Sequence, residues 1–165
     1  MSDRRYWVAV IVVIWGLVMF VPVAQAQRQE WECVYCYSQT LNIVHSGFPE
    51  VMIYSYDSKG ITQSTHESKL FDNGTFHTVG VVKGEGGKWS WNGFSKRMGP
   101  DGDFIIWEFY GDLQSGSTYK ALYGTGKWKG VKGEGKSKIF TTGKPILQGT
   151  NQACEKWVGW IEVPK

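Results

Sequence analysis

The stretch Gly84-Glu85-Gly86-Gly87-Lys88-Trp89-Ser90-Trp91-Asn92-Gly93-Phe94 reads as a turn followed by a strand. Clustered glycines punctuate the chain as a turn between strands. Beyond them Trp89, Trp91 and Gly93 alternate with Lys88, Ser90 and Asn92, which puts the rings on one side and the polar groups on the other. Period two is the signature of a half-buried strand.

The same reading extends in both directions. Trp31, Cys33, Tyr35 and Tyr37 share one side of an N-terminal strand, with Glu32, Val34 and Cys36 on the other. Two short strands, Val51 to Tyr56 and Ile61 to Ser68, are expected around a turn at Asp57-Ser58-Lys59-Gly60. Asp72-Asn73-Gly74 predicts a turn before a strand from Thr75 to Lys83, and Gly99-Pro100-Asp101-Gly102 another before Asp103 to Tyr110. That last strand is apolar on both sides, with Ile105, Trp107 and Phe109 opposite Phe104, Ile106 and Tyr110, and only Glu108 interrupting it. A strand covered on one side alone does not look like this, so its second face is expected to pack on a loop or on another subunit. Tyr119, Ala121 and Tyr123 then oppose Lys120 and Leu122. A glycine-punctuated strand lies within Gly126 to Phe140, and Gly143 to Thr150 is a loop. In the final strand Trp157, Gly159, Ile161 and Val163 alternate with Lys156, Val158, Trp160 and Glu162.

Seven to nine strands with tight turns and no crossover helix predict an all-β fold: a small antiparallel up-and-down β-barrel of about eight strands, with a two-sheet sandwich as the alternative. Glycines inside strands, such as Gly80, Gly93 and Gly159, suit the sharp coiling of a small barrel.

The N-terminus stands apart from this pattern. Arg4 and Arg5 precede an uncharged run from Trp7 to Val21, and Ala24-Gln25-Ala26 has the small-x-small form of a signal-peptidase site. The run is shorter than the ~20 apolar residues of a membrane span. Residues 1–26 are therefore expected to be a cleavable signal peptide and 27–165 a single barrel domain, periplasmic or secreted, with no stable membrane insertion after cleavage. Losing Asp3, Arg4 and Arg5 lowers the formal charge from +3 to +2. Lysines at 127, 129, 132, 136 and 138 alternate with Gly and Glu134, the pattern of a solvated strand rather than of a nucleic-acid face. Seven Trp, seven Tyr, seven Phe and twenty Gly remain after Ala26, a composition that favours sheet over helix.

One stretch is family-like. Tyr123-Gly124-Thr125-Gly126-Lys127-Trp128-Lys129-Gly130-Val131-Lys132-Gly133-Glu134-Gly135, together with the upstream Asp101-Gly102-Asp103, resembles the allene oxide cyclase and dirigent group of β-barrel proteins. The resemblance implies an eight-stranded barrel, often trimeric, whose lumen receives fatty-acid-derived or phenolic ligands.

Export permits a disulfide. Cys36 or Cys33 with Cys154 would tie the first strand to the last, with Cys36 and Cys154 the favoured pair because both lie on the more polar sides of their strands; a local Cys33–Cys36 bond is the alternative. His45, His66 and His77 share no ligand spacing, so no metal and no cofactor are implied. Glu108 is the weak catalytic candidate, and it matters only if its side of the strand faces inward. The ligand-binding candidates are Trp89, Trp91, Trp107, Tyr119, Tyr123 and Trp157, aromatics assigned to inward faces. The function expected is binding of a small apolar, aromatic or phenolic molecule. A cyclase- or isomerase-like activity and a homo-oligomeric structural module, in the family's manner a trimer, are the alternatives.

Overall fold

Strands joined in sequence by short turns can bury one face completely only by curling until the first meets the last. That closure occurs here. The computed structural model describes residues 27–44, 48 and 50–164; the expected cleavage after Ala26 and His45 lie outside them. Its strands are β1 (Gln27–Val44), β2 (Val51–Ser64), β3 (Gly74–Glu85), β4 (Lys88–Met98), β5 (Phe104–Asp112), β6 (Gly116–Gly124), β7 (Lys132–Gly143) and β8 (Thr150–Val163). Each pairs antiparallel with the next, and β1 pairs with β8 to close the barrel. Among the described residues the helical content is a single 3-10 turn at Gly126–Trp128.

The glycines and the tryptophans explain each other. Gly135 and Gly159 face one another across β7 and β8, and the Trp31 ring lies over both. A Cβ on Gly159 would come within 2.6 Å of Trp31 Cζ2 and 2.7 Å of Gly135 Cα. Only a residue without a side chain lets a large ring cross the wall of so tight a barrel. The two glycines at the β3–β4 hairpin serve a different need: Gly86 and Gly87 have φ of 56° and 78°, as its two-residue turn demands.

Two expectations are corrected. The turn at Asp57–Gly60 does not form, because both neighbouring strands hold this segment extended: Asp57 pairs with Thr40 and Val79, and Gly60 with Tyr37 and Phe76. Ladder pairing on both edges overrides local turn preference. In β6, a bulge between the pairs Ile106–Tyr123 and Trp107–Ala121 places Leu122 and Tyr123 both outside.

An up-and-down order sends alternate connections to opposite ends. At one end the segment 65–73 folds across the barrel and inserts Phe71, whose ring centroid lies 5.4 Å from Trp31, 5.2 Å from Trp157 and 5.9 Å from Trp128. Phe71 has φ of 62°, a strained value for a bulky residue. Its packing among four tryptophans, Trp107 being the fourth, holds it there. Val131, Ile105 and Ile161 complete this plug. The other end carries the connections 86–87, 113–115 and 144–149, and the described residues leave the barrel open there, beside Leu113 and Ile139.

Candidate functional site: the barrel lumen

Above the plug the inward side chains stop filling the barrel, and a cavity of about 400 Å³ remains. Much of its wall is aromatic, with Tyr35, Tyr37, Tyr54, Tyr56, Phe76, Trp89, Trp91, Phe109 and Tyr119, and Gln39, Ser58, Thr78, Ser117 and Asn151 add neutral polar groups. It reaches solvent at the open end, where the exposed Leu113 and Ile139 form part of its lining.

Glu155 stands on the cavity lining, with its side chain almost wholly buried. Tyr35 and Ser137 both donate to Oε2, the serine at 2.5 Å, and Tyr37 donates to Oε1 at 3.1 Å. The Tyr119 hydroxyl is 3.0 Å from that of Tyr35 and extends the chain of hydroxyls. A buried carboxyl is tolerable only when its lone pairs are met, and three hydroxyls from β1 and β7 meet them here.

Arg97, on β4, lies deeper. Its guanidinium is sandwiched among rings, 3.8 Å from the centroid of Trp157 and 4.4 Å from that of Tyr35. It forms no ion pair with Glu155 among the described residues, and its Nε and Nη1 find no hydrogen-bond partner there. Cation–π contact over several desolvated rings offsets part of the cost of burying it. The Tyr35 ring thus lies between a buried cation and a carboxyl.

This setting moves the phenols. Burial pushes the pKa values of Tyr35, Tyr37 and Tyr56 well up from the usual phenol value and raises that of Tyr119, and the nearby Glu155 charge pushes them in the same direction. Burial also drives the Cys33 thiol up to about 12, so it sits inside as a neutral, inert group.

The pterocarpan synthase dirigent protein GePTS1 superposes with a TM-score of 0.54 at 10% identity, over 86% of this chain and 94% of its own. PsPTS1, a second pterocarpan synthase dirigent protein, gives 0.53 at 12% identity over 86% and 99%. The fold is dirigent-like. No family model matches the sequence, and no curated protein does.

The dirigent-like barrel sorts the sequence candidates. Trp89, Trp91 and Tyr119 line the lumen, and Trp91 Nε1 donates to Ser117 Oγ at 2.8 Å. Trp107 and Trp157 point inward but are fully buried beyond the cavity lining, packed with Trp31 and Phe71. Tyr123 is outside, turned there by the bulge in β6. Glu108 is also outside, in register with Phe94 and Lys120, which removes the basis for a catalytic role. Cys36 and Cys154 stand opposite each other in the β1–β8 ladder and are disulfide-bonded, which leaves Cys33 free. Closing a loop of 118 residues contributes about 4 to 5 kcal/mol in the chain-entropy account. Among the described residues no three metal-ligating side chains gather; His77 Nε2 lies 2.8 Å from Asp57, and His66 contacts Ser68.

Sequence reasoning missed Glu155, Arg97, Tyr35 and Tyr37 as site residues. The signal was present in the alternation. Counting back by two from Trp157 reaches Glu155, and counting forward from Trp89 through Trp91, Gly93 and Ser95 reaches Arg97.

Proposed function

We propose that this protein is exported and binds, inside its barrel, a small apolar or aromatic molecule that carries a hydroxyl group. The observation that carries the reading is one carboxyl, Glu155, on the lining of a cavity whose walls are otherwise mostly rings. A cavity of about 400 Å³ suits a ligand of one or two rings, since small-molecule sites usually span about 300–1,000 Å³. The rings bury the ligand's apolar body, and Glu155 accepts its hydroxyl proton in place of, or beside, the Tyr37 hydroxyl. The dirigent-like fold and the phenolic ligands implied by the sequence resemblance support the same ligand class. The leader-like N-terminus and the Cys36–Cys154 bond support an oxidising compartment, periplasmic or extracellular.

The test is calorimetric titration with 2-naphthol, a neutral bicyclic phenol. The wild type is expected to bind it one to one. Glu155→Gln should weaken binding about ten-fold or more, because a hydrogen bond to a charged group contributes roughly 1.5–3 kcal/mol. Equal affinity in the two proteins would remove Glu155 from the site.

A second reading, assembly, is favoured by one feature. The outer faces of β3 to β6 expose Val79, Val81, Phe94, Tyr110 and Leu122 on neighbouring strands. Such a patch fits a homo-oligomer built around the same lumen.

A further inference from the structure

Along β8 the inward side chains are Asn151, Ala153, Glu155 and Trp157, since alternation sends every second residue to the lumen. Each has a neighbour on β1: Gln39 stands opposite Asn151, Tyr37 opposite Ala153, Tyr35 opposite Glu155 and Cys33 opposite Trp157. The lumen is therefore layered. Trp157 and Cys33 belong to its packed floor, and Glu155 and Tyr35 to the hydroxyl network above it. Asn151 and Gln39 lie at the open end, where β8 leaves the 144–149 connection. Ser58 of β2 is in register with Gln39 from the other side. Three neutral polar side chains thus stand in a row across β8, β1 and β2.

The protein does not satisfy this row itself. Gln39 is 9% exposed and Ser58 4%, and both side chains, with that of Asn151, line the cavity. None of the three side chains has a hydrogen-bond partner among the described residues. The next residue in register, Thr78 of β3, shows the contrast, because its hydroxyl pairs with Ser95 Oγ at 2.7 Å. Buried amides and hydroxyls are normally partnered, since burying them unmet is costly. Four residues of strand, about 13 Å at ~3.3 Å per residue, separate the row from the Tyr35–Glu155 layer. Between them on β8 stands only the methyl group of Ala153.

We infer that the ligand is two-ended: a neutral, elongated aromatic molecule whose phenolic hydroxyl meets Glu155 and whose far end carries a second hydroxyl or a carbonyl held by Gln39, Asn151 and Ser58. This rests on the lumen-binding reading above and deepens it. Two amides and a hydroxyl offer donors and acceptors together, so the row serves either oxygen group. Glu155 is the one charged side chain among the described lining residues. A ligand carboxylate would therefore find no counter-ion in the lining, and a buried charge requires one. A ligand with a single polar end fills the rings but covers the row with apolar surface, which is the arrangement such a site disfavours.

Two probes with the same pair of rings separate the two ends. 4-Phenylphenol carries one hydroxyl, and 4,4′-dihydroxybiphenyl carries one at each end. In calorimetric titrations the wild type should bind the second about ten-fold more tightly, beyond the statistical gain from its two equivalent ends. Gln39→Met with Asn151→Leu should reduce that preference to the statistical value, whereas Glu155→Gln should weaken both probes together. A readout on the wild type alone requires no variant to fold: the side-chain NH2 resonances of Gln39 and Asn151 should shift with 4,4′-dihydroxybiphenyl and stay in place with 4-phenylphenol. A wild type that binds the probes equally after the statistical correction would overturn the inference, as would a preference that survives in the folded double variant. In either case a loss of affinity for both probes in Glu155→Gln would leave the lumen reading standing. Binding of 2-naphthol with neither longer probe would also overturn the two-ended ligand and keep the lumen, by showing the cavity too short. Binding of none of the three would sink both.

Discussion

Gly159→Val is expected to prevent the barrel from closing. The new Cβ would fall 2.6 Å from Trp31 and 2.7 Å from Gly135 Cα, and its third close neighbour is the carbonyl of Glu134. Backbone on the facing strand has nowhere to go without opening the β7–β8 ladder. Overpacking alone costs about 1–3 kcal/mol. Displacing a buried tryptophan adds a cost comparable to the roughly 3–5 kcal/mol of a Trp→Ala change. The sum approaches the whole stability of a typical domain, about 5–15 kcal/mol. Gly143→Ala is the control, since its Cβ would meet Gln152 Cβ at an ordinary 3.6 Å. Denaturant unfolding should show the control within about 1 kcal/mol of wild type and Gly159→Val without a native baseline. A cooperative transition for Gly159→Val at the wild-type midpoint would contradict the register of β7 against β8.

The second large effect is alkaline unfolding. Tyr35, Tyr37 and Tyr56 hold their protons in the folded lumen far above the usual phenol pKa of about 10, and Tyr119 above it, mainly because burial penalises the phenolate. Below pH 10 both folded and unfolded chains keep these protons, and stability is undiminished. Above it the unfolded chain releases them and the folded chain does not, so stability falls as pH rises. Each strongly shifted phenol contributes about 1.4 kcal/mol per pH unit, and Tyr35, Tyr37 and Tyr56 together lower stability by about 4 kcal/mol at pH 11. The barrel should therefore weaken steeply above pH 10 and unfold between about pH 11 and 13, where the loss reaches the roughly 5–15 kcal/mol of a typical domain. Ionisation of these tyrosines, followed by ultraviolet absorbance, should coincide with loss of the β-sheet circular dichroism. Phenols that titrate individually near pH 10 while the sheet persists would show that the lumen is wet.

Much of the architecture was legible because alternation and turn chemistry are local. Trp89, Trp91 and Gly93 after Gly86-Gly87 specified a hairpin strand, and the repetition of such units specified an up-and-down barrel. Cys36 and Cys154 could be matched because closure must bring the first and last strands together. Three features depended on partners distant in sequence. Asp57–Gly60 has turn residues, but β1 and β3 hold it extended on both sides. Tyr123 follows an unbroken local alternation, and the bulge that expels it exists only in the pairing of β6 with β5. Phe71 closes one end of the lumen from a loop in which Leu70 and Phe71 are the apolar residues and no local period shows where they point. The polar groups of the site are hidden for another reason: inward faces are marked by rings, and the acid that stands out in the sequence is Glu108, in an apolar strand. Glu155 and Arg97 lie on inward faces where rings predominate, and they are polar groups that the rings surround.

The lumen claim is tested most directly by following the indole N–H signals of the tryptophans in a nuclear magnetic resonance titration with 2-naphthol. Trp89 and Trp91 line the cavity, whereas Trp31, Trp107 and Trp157 are buried with the plug and Trp160 is on the outer face, under the Arg28 guanidinium. Saturable shifts concentrated on Trp89 and Trp91 are predicted. Shifts confined to Trp160, or no shift at any indole, would contradict a ligand site inside the barrel.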